Sequence, residues 1–271
     1  MEDGFFICDM NDNPIGFFDS GVGGTSIWKE VVALLPNENT IYIADSVNAP
    51  YGIKTKEEII QLSIRCTERL IEQNCKIIVV ACNTATTNAI DHLRTNFNIP
   101  FIGIEPAIKP ALLKTKTKTI GILATKGTLS SSLFESTKNE FGEDIKIIEQ
   151  IGTGIVELIE ANQLESKELF DLVTSYVEPM VSADIDCLVL GCTHYPYLKP
   201  ILTKILPQDI QLIDSGAAVA KQTKRILIDE NLESIHSNAV NHLLLSNGNI
   251  ETLQALTKNE ALQISYKSFE W

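Results

Sequence analysis

Short apolar runs alternate along the chain with longer amphipathic stretches. The runs are Ile15–Phe18, Thr40–Ala44, Lys76–Ala81, Pro100–Ile104, Thr119–Leu123, Ile145–Ile148, Cys187–Leu190 and Gln211–Ile213. They are rich in Ile, Val, Leu and Phe and lack polar alternation, which is how strands buried on both faces of a parallel sheet read. Most stretches between them are long enough for a crossover helix. In Thr55–Gln73 the apolar positions Ile59, Ile60, Leu62, Ile64, Leu70 and Ile71 form a broad helical stripe. Ser166, with Leu169 three residues on and an apolar run to Val181, marks another helix start. Repeated β–α units predict an α/β fold with parallel sheets. The Lys/Thr stretch Leu113–Thr119 reads as a solvated loop between a helix and a strand, and the segment beyond Asn241 reads as strand, helix, strand.

The chain echoes itself. "KIIVVACNTATT" begins at Lys76 and "DCLVLGCTHYP" at Asp186; each is a buried strand, a small residue and then a cysteine. A second echo pairs "FFDSG" at Phe17–Gly21 with "LIDSG" at Leu212–Gly216. Two halves of one local design predict two similar parallel-sheet α/β domains facing each other, with a site in the cleft between them.

Composition narrows the function. At 271 residues the chain is long enough for one large domain or two modest ones. The net charge of −13 argues against a nucleic-acid partner, which needs a basic footprint, and against an anionic membrane surface. The longest uncharged stretches, Ile77–Ile90 and Cys187–Leu198, fall short of the roughly 20 apolar residues of a span. The acidic start, "MEDGFFICDMNDNP", lacks the basic and apolar regions of a secretory signal, so the expected location is the cytoplasm. Six cysteines are too few for a disulfide scaffold. Cys8 lies in an N-terminal extension, Cys66 is mid-helix, and Cys75 and Cys187 open strands; these four read as packing residues.

Cys82 and Cys192 differ, because each sits just past the carboxyl end of a strand, where parallel sheets place ligands. A following helix N-terminus there is expected to lower the thiol pKa below about 8.5. Four kinds of chemistry compete. A metal site would use Cys187, Cys192 and His194, but the two cysteines fall at opposite ends of a strand. A Cys–His hydrolase would use Cys192 with His194 and leave Cys82 unexplained. A redox disulfide lacks a C-x-x-C motif. Two thiols flanking one small molecule could instead remove a proton from a carbon and return one to its opposite face, inverting a stereocentre. Asp19 and Ser20 follow the first strand, Asn83 and Thr84 follow Cys82, and Thr193 and His194 follow Cys192; all could serve a small carboxylate. The glycines Gly21, Gly23 and Gly24, with Asp45 placed for a ribose, suggest a dinucleotide loop, but Ser26 stands where the third glycine belongs. The glycines read more simply as room for backbone to approach a small ligand.

The motifs "GFFDSGVGG", "YIADSVNAPYG", "VVACNTATT", "IGIEPA", "GILATKGT" and "LVLGCTHYP" occur in this order between about Pro14 and Ile228. Together they closely resemble the glutamate racemases of the cofactor-independent aspartate/glutamate racemase superfamily. The resemblance implies an isomerase that interconverts L- and D-glutamate without pyridoxal phosphate, metal or other cofactor. D-Glutamate would supply peptidoglycan, and so cell-wall biogenesis and cell shape. It implies Cys82 and Cys192 as acid/base thiols, Asp19 and His194 as their assistants, and Glu160 as an auxiliary carboxylate, although Asn162 replaces the glycine common two residues on. Asp19, Ser20, Tyr51, Gly52, Asn83, Thr84, Thr125, Thr128, Thr193 and His194 match substrate-contacting positions. The implied first domain comprises 1–106 plus 217–271, with 107–216 inserted as the second. A homodimer is a further arrangement the resemblance allows. Racemisation of aspartate or a related acidic amino acid, a non-catalytic carboxylate binder and a dehydrogenase stand as alternatives.

Overall fold

A computed structural model describes residues 12–104, 107–141, 144–234 and 239–271; Cys8 and the rest of the extension before Asp12 lie outside the described residues. The strands are β1 (Ile15–Asp19), β2 (Thr40–Ala44), β3 (Ile77–Val80), β4 (Phe101–Gly103), β5 (Thr119–Ala124), β6 (Lys146–Ile151), β7 (Cys187–Gly191), β8 (Gln211–Ile213), β9 (His242–Ser246) and β10 (Ile264–Ser268). The helices are α1 (Thr25–Leu34), α2 (Lys56–Glu72), α3 (Asn83–Asn96), α4 (Ile108–Lys114), α5 (Lys126–Leu129), α6 (Ser132–Phe141), α7 (Ile155–Glu160), α8 (Lys167–Ser182), α9 (Lys199–Ile205), α10 (Gly216–Asp229) and α11 (Ile250–Thr257).

Two sheets result. One has six strands in the order β10-β9-β2-β1-β3-β4, the other four in the order β6-β5-β7-β8. Every described pairing is parallel, as the apolar runs predict. The central strands β1, β2, β3 and β7 are buried throughout. The edge strands depart from that expectation: β6 runs three residues past Ile148 and is nowhere fully buried, and β10 is largely open. Each has a single neighbour, so hydrogen bonding and not double-faced burial defines it. Cys187 does open β7, whereas Cys75 lies two residues before β3.

The helices form where local chemistry closes their ends. Thr55 caps α2 in a capping box with Glu58, and Ser166 caps α8 by accepting from the Leu169 N–H at 3.1 Å; each cap stabilises its helix by about 1 kcal/mol. The Thr115–Lys118 loop joins α4 to β5, with the Asp186 carboxylate accepting from the N–H groups of Lys116 and Thr117. Among the described residues no helix is long and apolar enough to cross a membrane.

Apolar packing sits on both faces of each sheet. One cluster joins β1, β2 and β3 residues to Trp28 and Val31 of α1 and Val219 and Leu227 of α10, and runs on through Ile155, Val156 and Ile159 to the second sheet. Its continuity fixes how the strand ends of the two sheets meet. A second cluster lies beneath α2 and α3, and a third beneath α4 and α6. After β8 the chain leaves the four-stranded sheet, and α10 packs against α1 of the six-stranded one.

Candidate active site

The carboxyl ends of β1 and β3 in one sheet, and of β5 and β7 in the other, open onto one small cavity. Its walls are Ser20, Pro50, Tyr51, Gly52, Cys82, Asn83, Thr84, Thr125, Val156, Cys192, Thr193 and His194.

Cys82 caps the N-terminus of α3, its Sγ accepting from the Ala85 N–H at 3.4 Å, and its thiol lies 3.7 Å from Ser20 Oγ. A helix N-terminus alone would lower the thiol pKa; here the shift is reversed. Burial comes first and the neighbouring Asp19 carboxylate second, and together they push the thiol well up against the opposing Ala85 N–H. Asp19 ends β1 and is fully buried. Its Oδ2 accepts from the Gly24 N–H at 2.6 Å and from Thr193 Oγ1 at 3.2 Å, a bond that ties the two sheets' loops together. Burial raises the Asp19 carboxyl above its ordinary value, only partly offset by His194 and by the Cys82, Gly24 contacts.

Across the cavity, Cys192 Sγ lies 3.8 Å from His194 Nδ1, and His194 Nε2 lies 2.6 Å from Glu160 Oε1. Burial disfavours the charged ring, but the contacts with Cys192 and Glu160 outweigh it and hold the imidazole pKa well above its usual value. Glu160, the last residue of α7, also accepts from the Val22 N–H at 2.7 Å through Oε1 and from Ser46 Oγ at 2.8 Å through Oε2. The thiol, imidazole and carboxylate therefore stand in line, anchored at the far end by the loops after β1 and β2.

The glycine cluster serves this anchoring and not ligand approach. A Cβ on Gly21 would sit 1.9 Å from Glu160 Oε1, and one on Gly23 would sit 2.2 Å from His194 Nδ1. Both glycines let the β1–α1 turn close over the Cys192 relay. The dinucleotide reading fails at Asp45 as well, since its carboxylate is occupied by Asn48, Tyr51, Asn247 and Trp271.

Of the sequence-predicted positions, Ser20, Tyr51, Gly52, Cys82, Asn83, Thr84, Thr125, Cys192, Thr193 and His194 line the cavity. Asp19 and Glu160 stand behind the wall and bear on Cys82 and His194 respectively. Thr128 lies outside the wall: it is fully buried, with its hydroxyl 3.0 Å from that of Thr125. Thr125 in turn lies 3.0 Å from Thr84 Oγ1, joining the two sides of the cavity. Sequence reasoning missed Pro50, Val156 and Ser46. Pro50 and Ser46 lie within "ADSVNAPYG", a motif already noted, but Ser46 meets Glu160 across 114 positions of chain. Asn83 Nδ2 is buried without a hydrogen-bond partner, an orphaned donor on the cavity wall that a ligand oxygen would satisfy. Among the described residues no group of three or more His, Cys, Asp or Glu side chains is arranged to hold a metal ion.

Comparison with known proteins agrees with this geometry. The family model described as Asp/Glu/Hydantoin racemase matches residues 18–223. A glutamate racemase of Herpetosiphon aurantiacus is 48% identical over 218 residues, covering 80% of this chain and 86% of that protein. The crystal structure of glutamate racemase isoform RacE1 from Bacillus anthracis superposes with a TM-score of 0.84 at 30% identity, covering 96% of this chain and 98% of the other. That of Escherichia coli glutamate racemase, in complex with L-glutamate and the activator UDP-MurNAc-ala, gives 0.82 at 32% identity, covering 94% and 98%. With its paired strand-end cysteines on one cavity and these likenesses over most of its length, the chain belongs to the Asp/Glu/Hydantoin racemase family, among the glutamate racemases.

Proposed function

We propose that the cavity interconverts L- and D-glutamate by two-base proton transfer at Cα, with Cys82 and Cys192 as the bases. The observation that carries this reading is that two thiols from different sheets line the same small cavity, each with its own assistant behind it.

In the L-to-D direction, the Cys192 thiolate takes the Cα proton as the C–H bond breaks. The thiol of Cys82 then donates its proton to the opposite face, forming the new C–H bond. The contacts with Cys192 and Glu160 hold the His194 imidazole in its charged form beside Cys192 Sγ, while burial and Asp19 keep Cys82 protonated. In the reverse direction Asp19, whose raised pKa lets it accept a proton, relieves Cys82 of its own. The carbanion at Cα spreads its charge into the adjacent carboxylate, where Asn83 Nδ2 and the N–H groups at the start of α3 are placed to stabilise it. Thr84, Thr125 and Thr193 supply further hydroxyls, and Tyr51 and Gly52 close the wall.

The same reading divides the chain into a first α/β domain, 1–106 plus 217–271, and an inserted second domain, 107–216. The crossings before α4 and before α10 support it. The product D-glutamate would feed peptidoglycan synthesis in the cytoplasm, and a homodimer would be compatible with a cavity built within one chain.

A chiral assay of the purified protein, with glutamate and aspartate in separate reactions and nothing else added, tests the proposal. The expected result is equimolar D- and L-glutamate from either enantiomer and little change in aspartate. Inversion of aspartate alone would move the substrate assignment, and inversion of neither would reject the activity.

A further inference from the structure

Asp45 is fully buried and outside the cavity wall, and four side chains donate to its carboxylate. Asn48 Nδ2 lies 2.9 Å and Trp271 Nε1 2.8 Å from Oδ1, which also accepts from Asn247 Nδ2; the Tyr51 hydroxyl lies 2.6 Å from Oδ2. Asn48 and Tyr51 belong to the loop that follows Asp45. Asn247 and Trp271 come from distant chain, the turn after β9 and the stretch after β10.

That loop sets the site. It carries Ser46 to Glu160 and places Pro50, Tyr51 and Gly52 in the cavity wall. Asn247 grips it a second time, accepting from the Val47 N–H at 3.0 Å. Trp271 is itself clamped. The Arg65 guanidinium lies 4.5 Å from its ring, Phe269 meets it edge-on with centroids 5.0 Å apart, and Arg69 lies 4.2 Å from the Phe269 ring. Both arginines belong to α2. The stretch after β10 thus runs as a strap from α2 to Asp45, beyond the residues 18–223 that the family model covers.

We propose that Trp271 is a positioning residue for the substrate cavity: its indole N–H fixes Asp45, and Asp45 fixes the 46–52 loop. The proposal rests on the racemase reading for the kinetic part of its test only. A buried carboxylate deprived of one donor draws on water or on its remaining donors. Two of those donors, Asn48 and Tyr51, are on the loop, so the loop shifts. Trp271 is 38% exposed, and its ring packs on Arg65 and Phe269, contacts that a phenylalanine ring can keep.

Trp271→Phe keeps an aromatic ring against Arg65 and Phe269 and deletes the N–H. The expected result is faster amide hydrogen exchange in 46–52, with α8 unchanged. KM for glutamate should rise about tenfold, the equivalent of ~1.4 kcal/mol, with kcat altered less than about threefold. In an Asp45→Ala background, where the indole N–H has no side-chain oxygen to hold, the same change should raise KM no further. A purely structural role would lower the melting temperature and leave KM and loop exchange in place. Unchanged exchange in 46–52 overturns the proposal whether or not the parent protein racemises glutamate, and so does an unchanged KM in an active parent. Failure of the parent itself to racemise glutamate defeats the functional reading instead, and the exchange measurement still decides the strap.

Discussion

Replacing Cys82 with Ser is expected to lower kcat/KM for glutamate racemisation by roughly 10²–10⁴-fold, the usual contribution of a proton-transfer group. Cys192→Ser should do the same. A serine hydroxyl keeps nearly the size of the thiol but does not ionise near neutrality, so the loss reports chemistry and not packing. The two thiols act on one carbon from opposite sides, and removing both should cost little more than removing either. Each single variant should also keep half the reaction. With Cys82→Ser, the Cys192 base still faces L-glutamate and should wash solvent deuterium into that enantiomer without inverting it. Cys192→Ser should do so with D-glutamate. Cys75 offers a control: its thiol is buried beside Gly16, away from the cavity wall, and Cys75→Ala should keep the racemisation rate. A near-normal rate in either Cys82→Ser or Cys192→Ser, measured by circular dichroism or a chiral assay, would remove that cysteine from the mechanism.

Glu160→Gln is expected to have the second-largest effect. The amide keeps an oxygen for the Val22 N–H and an amino group toward Ser46, so the loops stay anchored while the negative charge disappears. His194 is held in its charged form against its own burial by Cys192 and Glu160. Without the Glu160 charge its pKa falls, the imidazolium is lost at lower pH, and the alkaline limb of the kcat/KM profile moves to lower pH. At neutral pH the rate should drop about 10²-fold. It should drop equally from either enantiomer, because L- and D-glutamate have the same free energy and kcat/KM must match in both directions. Linkage gives a second signature. The folded pKa of His194 lies above its unfolded value near 6.5, so its contribution to stability is complete below that pH and is lost as pH rises through the folded value. Glu160→Gln should therefore flatten the stability profile above neutrality, and an unshifted alkaline limb would show that Glu160 does not act through His194.

How much of this was legible in the sequence follows from the range of the interactions involved. The buried central strands announce themselves in unbroken apolar runs, and a cysteine immediately after such a run is placed by the strand itself. Cys82 and Cys192 could therefore be found from local pattern, and the echo between their segments pointed to two facing halves. The edge strand β6 was harder, because single-sided pairing leaves it exposed and its apolar run stops before its hydrogen bonds do. The sign of the Cys82 pKa shift is not legible in sequence for a related reason. A helix N-terminus is visible in sequence, whereas the depth of burial and the nearness of Asp19 exist only after β1 and β3 pair. Gly21 and Gly23 looked like room for a ligand, yet the atoms that need the room belong to Glu160 and His194, more than a hundred residues away. Ser46 and Trp271 gave no local signal, because each matters only through a carboxylate brought from elsewhere in the chain.

In two-base racemisation one thiol takes the Cα proton and another gives a different proton back. The most direct measurement is the initial turnover of protiated L-glutamate by enzyme equilibrated in D2O, with both enantiomers separated and analysed by mass spectrometry. D-Glutamate should carry one deuterium at Cα from its first appearance, while the remaining L-glutamate stays protiated. D-Glutamate that retained the original hydrogen would contradict it.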